Sequence, residues 1–175
     1  MSSVDRVRRF LKDKGLGIEV LQLAGESTRT AQLAAEAMHA PLGSIVKSLI
    51  FLADDQPILV LVAGDRRASP GKLKSLLGAR RVMIADADTV RQKTGFAIGG
   101  VPPVGHEPPL RTIIDVSLHH FQTLYAAAGA PNALFPISYE MLVQVTEGQV
   151  ADITDLPAFQ HSNLPPSQPS NSHRR

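Results

Sequence analysis

Two apolar runs, Ile45–Leu52 and Ile58–Ala63, are separated by only the five residues ADDQP. Runs this short, this rich in β-branched residues and joined by turn-forming residues predict two adjacent strands in a hairpin, which commits the fold to a sheet. Strand side chains alternate faces, so in GSIVKSLIF the row Ile45, Lys47, Leu49 and Phe51 lies opposite Val46, Ser48 and Ile50. Lys47 therefore puts a cation on an apolar row. Burying an unpaired ammonium costs several kcal/mol, and three arrangements relieve it: a carboxylate partner, snorkelling to water, or an open pocket that takes an anionic ligand.

At 175 residues and 43% hydrophobic composition the chain has the length and core material of one ordinary domain. It has no cysteine, which excludes disulfides, thiolate nucleophiles and cysteine-ligated metal centres. The start, MSSVDRVRRFLKDKG, mixes charged and apolar residues without the continuous apolar stretch of a signal peptide or a membrane span, and reads as a soluble, cytoplasmic protein. The formal net charge is only +2, so bulk electrostatics does not select a partner. Its distribution is more informative: Arg66, Arg67, Lys72, Lys74, Arg80 and Arg81 share one segment with a single acid, Asp65. Such a cluster either follows a phosphate backbone or is an ordinary solvated face.

Val4, Val7, Phe10 and Leu11 have helical spacing and Gly15 supplies a stop, predicting an amphipathic opening helix. A strand over Ile18–Leu23 and a helix Ala31–Met38 capped by Thr30 follow. Ser69 and Pro70 start a helix that Gly78 closes; a strand Arg81–Ile84 then leads to a helix capped by Asp86 and ended by Gly95. Beyond it FAIGGVPPVGHEPP, residues 96 to 109, holds too many glycines and prolines for a regular element, and loops this long are disproportionately functional. Strands are predicted at Arg111–Val116, within SLHHFQTLYAAAG and at Leu134–Ile137, the last on an edge because of Pro136, before a helix capped by Ser138. From Pro157 onward the composition is that of a flexible tail, which sets domain limits of 1–156 and 157–175. Strands interspersed with short helices, without a regular βαβ beat, predict an α+β fold with a mixed sheet.

The glycine-rich loop matches neither a Walker phosphate loop nor the dinucleotide fingerprint. Gly99 and Gly100 permit close approach to the backbone, while Pro102 and Pro103 fix its path and free carbonyls from strand pairing. His106, His119 and His120 lack metal-ligand spacing, and packing, capping or substrate contact suits His106 better. The nucleophile elbow GxSxG is missing. Asp115 ends an apolar run either as a partner for a cation or as a turn residue.

GSIVKSLIF, LVLVAGDRRASPGKLKSLLG, TGFAIGGVPPVGHEPPLRTIID, LYAAAG and ISYEMLVQV, in that order, resemble the YbaK/EbsC family, the editing domains associated with prolyl-tRNA synthetase. The resemblance runs from about Ser27 to Ile153. It implies a compact, barrel-like mixed sheet and a free-standing deacylase, without cofactor or metal, that hydrolyses mischarged aminoacyl-tRNA, typically tRNA(Pro), with prolyl-tRNA synthetase as a further partner. Lys47 matches the family's strand lysine, and Gly99, Gly100, Val101, Pro102 and Pro103 match its pocket loop. On this resemblance Lys47 and Gly100 are the catalytic candidates. Gly99, Val101, Pro102, Pro103, His106 and Asp115 are candidates for substrate contact, and Arg66, Arg67, Lys72 and Lys74 for tRNA contact. An aminoacyl ester is already activated, so positioned water and a stabilised oxyanion suffice for hydrolysis. Members of the cysteine-clearing branch carry an aspartate where this chain reads NALFPIS, and its absence points to a small aliphatic substrate. The rival readings are a non-catalytic module that binds the tRNA end or an aminoacyl-adenylate-like ligand, and a subunit active only beside a synthetase.

Overall fold

The computed structural model describes residues 1–25 and 27–155. Five helices lie among them: α1 (Ser3–Asp13), α2 (Ala31–Met38), α3 (Pro70–Leu77), α4 (Ala87–Thr94) and α5 (Tyr139–Thr146). The strands are β1 (Leu21–Gln22), β2 (Ile45–Ala53), β3 (Gln56–Ala63), β4 (Arg67–Ala68), β5 (Val82–Ile84), β6 (Arg111–Asp115), β7 (Leu124–Ala127), β8 (Ala133–Ile137), β9 (Gln149–Ala151) and β10 (Thr154–Asp155). The predicted caps form: Thr30, Ser69, Asp86 and Ser138 each accept from the N–H three residues on, and Gly78 and Gly95 end their helices in the left-handed region.

The β2–β3 hairpin is the spine of the sheet, running in register from Val46 opposite Ala63 to Ala53 opposite Gln56. The strands extend into the predicted linker and leave only Asp54 and Asp55 as the turn, both at positive φ (46° and 67°). Two such residues form the turn whose twist matches the flanking strands, and aspartate tolerates that backbone better than most residues. The Asp54 carboxylate then accepts from the N–H groups of Arg80 and Arg81, which draws the start of β5 alongside β2.

In order across the sheet the strands run β1, β8, β7, β2, β3, β6, β9, with β5 also paired to β2, and with both parallel and antiparallel neighbours. The α+β, mixed-sheet expectation is met. The barrel-like shape is not: β1 and β9 end the path unpaired with each other, so the sheet is open. Strand β1 shrinks to two residues because it meets only Leu134 and Ala133 of β8. Pro136 consequently sits in a strand with neighbours on both sides, but past the end of β1, where no partner asks for its missing N–H.

Both faces of the sheet are covered. Val46, Ile50, Leu59 and Leu61 pack with Val7 and Leu11 of α1 and with Phe96 and Phe135. Phe51, Val60, Val62 and Ile113 pack with Leu73 of α3 on the opposite face. The segment between α4 and β6 has no regular element, as predicted, yet Val101, Pro102, Pro103, Val104 and His106 are buried, so it is part of the core. The tail assigned to residues 157–175 lies outside the described residues, as does the last residue of the domain assigned to 1–156.

Candidate active site at a break in the sheet

Along one side β2 is paired to β3 for nearly its whole length, but on the other side it changes partner. Strand β7 runs parallel to Ile45 and Val46, and β5 runs antiparallel to Phe51–Ala53. No strand among the described residues fills the interval. A cavity of about 350 Å³ opens there. Its floor is Ile45 to Ile50 of β2, and its walls come from Ile84 at the end of β5 and Ala85 after it, Ile98, Gly99 and Val101 of the loop, Tyr125 to Ala127 of β7, and Thr28 to Ala31 with Ala34 at the start of α2. Most of this lining is apolar and much of it is alanine, which suits a small, largely aliphatic guest.

Lys47 lines this cavity, half-buried. Its ammonium donates to the carbonyl oxygen of Arg66 at 2.5 Å, and among the described residues no carboxylate stands within 4.0 Å of it. Burial pushes its pKa below the ordinary lysine value; the more distant Asp65 opposes this and Arg67 adds to it. Of the three arrangements open to a lysine on an apolar row, the fold uses a tether to one carbonyl beside an open cavity. Two of the three ammonium donors remain for a ligand.

The loop is held by its glycines. Gly99 has φ +87°, and a Cβ there would lie 3.0 Å from the Arg29 carbonyl oxygen. A Cβ on Gly100 would lie 2.9 Å from both Cα and N of Ala130. The Gly100 carbonyl accepts from Gly129 N–H at 2.9 Å, and Gly100 N–H donates to Ala97. His106 is buried edge-on to Phe96, and its Nε2–H donates to the Pro102 carbonyl at 2.7 Å. Burial, with Arg6 nearby, lowers the pKa of His106 although the Pro102 bond opposes the shift. The Pro102 carbonyl, which the sequence reading leaves free of strand pairing, is thus used inside the loop, and the Gly100 carbonyl is used by the turn after β7.

The predicted residues divide accordingly. Lys47, Gly99 and Val101 line the cavity; Gly100, Pro102, Pro103 and His106 stand behind it and shape the loop. Asp115 stands apart from the cavity lining, its buried carboxylate accepting from the N–H groups of Ser117 and Ile153 and from the hydroxyls of Ser117 and Thr154. That resolves its two sequence readings in favour of the turn. Lys72 bonds to Asp152 at 3.1 Å and to the Thr154 carbonyl at 2.7 Å, and so clamps β10. Arg67 and Lys74 are exposed and Arg66 is half-buried. His119 and His120 each direct Nδ1 at a local carbonyl, those of Val116 and Ser117.

The sequence pattern described as "Aminoacyl-tRNA editing domain" matches residues 25–145, which contain the whole cavity lining. The chain belongs to the aminoacyl-tRNA editing domain family. Its editing domain is 35% identical over 127 residues to the uncharacterized protein YwhH of Bacillus subtilis (strain 168), covering 71% of this chain and 79% of that one. It is 38% identical over 106 residues to a proline–tRNA ligase of Lactobacillus gasseri, covering 61% of this chain but only 19% of the ligase. The crystal structure of a protein proposed as a trans-editing enzyme for prolyl tRNA synthetase superposes with a TM-score of 0.83 at 42% identity, over 89% of this chain and 98% of that one.

Sequence reasoning overlooked much of the editing domain's cavity wall. Thr28, Ala31 and Ala34 precede or begin a helix that reads as simple packing, and Ile84 and Tyr125 belong to strands with no polar signal. The one available clue was LYAAAG, a run of small residues where a strand wall must leave room.

Proposed function

We propose that this editing domain hydrolyses the ester between a small noncognate amino acid and the terminal ribose of tRNA, with tRNA(Pro) as carrier, acting free of the synthetase in the cytoplasm. The observation that carries this reading is the tethered Lys47 ammonium beside a cavity walled by small apolar side chains. In the reaction the oxygen of a water bonds to the ester carbonyl carbon and the carbonyl π pair moves onto its oxygen. As that pair returns, the bond to the ribose oxygen breaks and the ribose oxygen takes the proton the water gives up. Lys47 supplies positive charge at the phosphate or the ester oxygens of the terminal adenosine, and the loop from Gly99 to Pro103 fixes the wall against which the aminoacyl group lies. The similarity to proline–tRNA ligases and to a proposed trans-editing enzyme supports tRNA(Pro) as carrier and a prolyl-tRNA synthetase as the source of the mischarged substrate.

The test is release of labelled amino acid from tRNA(Pro) charged separately with alanine, 2-aminobutyrate, serine, threonine, cysteine and proline. Release of a small noncognate residue, with proline spared, supports the reading. Binding without release from any of them supports a non-catalytic module.

A further inference from the structure

The break in the sheet leaves specific backbone groups open. The Ile50 carbonyl accepts from Ala85 N–H at 2.9 Å, which shows that even-numbered residues of β2 direct their N–H and C=O away from β3. Val46 spends its groups on β7, and Leu52 lies opposite Met83 of β5. Ser48 lies between them. Neither β7 nor β5 reaches it, and no other strand among the described residues does. Its N–H and C=O therefore point side by side into the cavity that Ser48 lines. Buried main-chain groups are rarely left unpaired, and an internal strand position with both groups open is a vacant place in a sheet.

An aminoacyl ester carries the two groups that one residue of an added strand would offer: an α-ammonium that donates and a carbonyl that accepts. Opposed residues in an antiparallel pair exchange both bonds. We infer that the amino acid of the substrate occupies this vacant strand position, its α-ammonium donating to the Ser48 carbonyl and its ester carbonyl accepting from Ser48 N–H. The inference rests on the deacylase reading and deepens it by assigning main-chain positioning to Ser48. The recognition is independent of the substrate's side chain, which leaves selection among amino acids to the alanine-rich wall. It also places a fixed N–H at the oxygen where negative charge develops when water adds, a donor that needs no reorganisation during the reaction. The substrate's side chain, like any strand side chain, projects to one side of the pairing plane.

Amide hydrogen exchange by NMR, with 3′-alanylamino-3′-deoxyadenosine as a non-hydrolysable probe, tests the pairing. In the free protein Ser48 N–H is expected to exchange at least about tenfold faster than those of Lys47 and Leu49, which face β3. Saturating probe should slow Ser48 by about tenfold or more. The matched 3′-propionylamino compound, which lacks the α-amino group, should bind about tenfold or more weakly, as loss of a charged hydrogen bond requires. The pairing is overturned if Ser48 is already as protected as Leu49, if the probe does not bind, or if it shifts Ala127 and Ile98 while Ser48 exchange stays unchanged. Release of amino acid from tRNA with unchanged Ser48 exchange sinks this pairing alone. Protection of Ser48 without release sinks the hydrolase reading alone.

Discussion

Among the described residues, Lys47 and His106 are the two titratable side chains whose pKa burial lowers, and the fold uses them for different ends. Replacing Lys47 by methionine keeps the volume of the chain and removes the charge. Deacylation is expected to fall by about 10²–10³-fold, the usual loss when one electrostatic donor is removed, with the circular dichroism spectrum unchanged. The same variant has a pH signature. Because the folded protein holds this lysine's pKa below 10.5, the unfolded chain binds more protons as pH approaches that value, so wild type gains stability relative to Lys47→Met between neutral pH and pH 10.5. Melting temperatures of both proteins at pH 7 and pH 10 check it; a constant difference refutes a depressed pKa. His106 titrates in the other half of the range. Its pKa lies below 6.5 in the fold, so wild type should lose stability as pH falls through 6.5, an effect that His106→Gln should lack. Melting curves of the pair from pH 7.5 to pH 5 measure it, and parallel curves would mean that His106 is as easily protonated as in the unfolded chain.

At the scale of elements the loop from residue 96 to 109 behaves as packed structure, and Gly100 is where it meets the turn after β7. Gly100→Ala forces a methyl to within 2.9 Å of backbone atoms of Ala130, which cannot swing aside as a side-chain tip would. Overpacking of this kind costs about 1–3 kcal/mol, and a urea denaturation midpoint lowered to match is expected, together with reduced deacylation. An unchanged midpoint would show that the loop and the turn part easily. These elements also mark what the sequence can convey. The hairpin, the helix caps and the loop were legible because each is written in local residues: ADDQP, Thr30, Ser69, Asp86, Ser138, and the glycines and prolines of 96–109. The vacant position at Ser48 was not, because it depends on where β5 and β7 end against β2, and those pairings join residues far apart in the chain, from Ala53 with Val82 to Val46 with Ala126. Asp115 was hard to read for the same reason in reverse: two of its three partner residues, Ile153 and Thr154, are distant in sequence, so its hydrogen bonds within the fold could not be seen locally.

Across the whole molecule, the basic segment that reads as one cluster in sequence divides into two populations. Lys72 faces Asp152 and Asp155, at 3.1 and 3.5 Å, and ties the β4–β10 pair to α3. Arg67 and Lys74 are exposed, and Arg67 directly follows the residue whose carbonyl holds Lys47, so exposed positive charge begins beside the cavity. On the proposed function, a tRNA whose acylated end enters the cavity lays its neighbouring phosphates outside it, and Arg67 and Lys74 are expected to meet them. Neutralising one phosphate releases counterions and contributes about 0.7–0.9 to the slope of log affinity against log salt. The double variant Arg67→Ala, Lys74→Ala should therefore bind uncharged tRNA more weakly at low salt and lower that slope by about 1.4–1.8 if both residues touch phosphate. Lys72→Ala should leave the slope unchanged and lower the melting temperature instead, because its ammonium is committed to the fold. Filter-binding titrations from low to moderate salt separate the two. Equal loss of slope in both variants would mean that the acidic partners release Lys72 when RNA arrives, while an unchanged slope in the double variant would place the RNA path on another face.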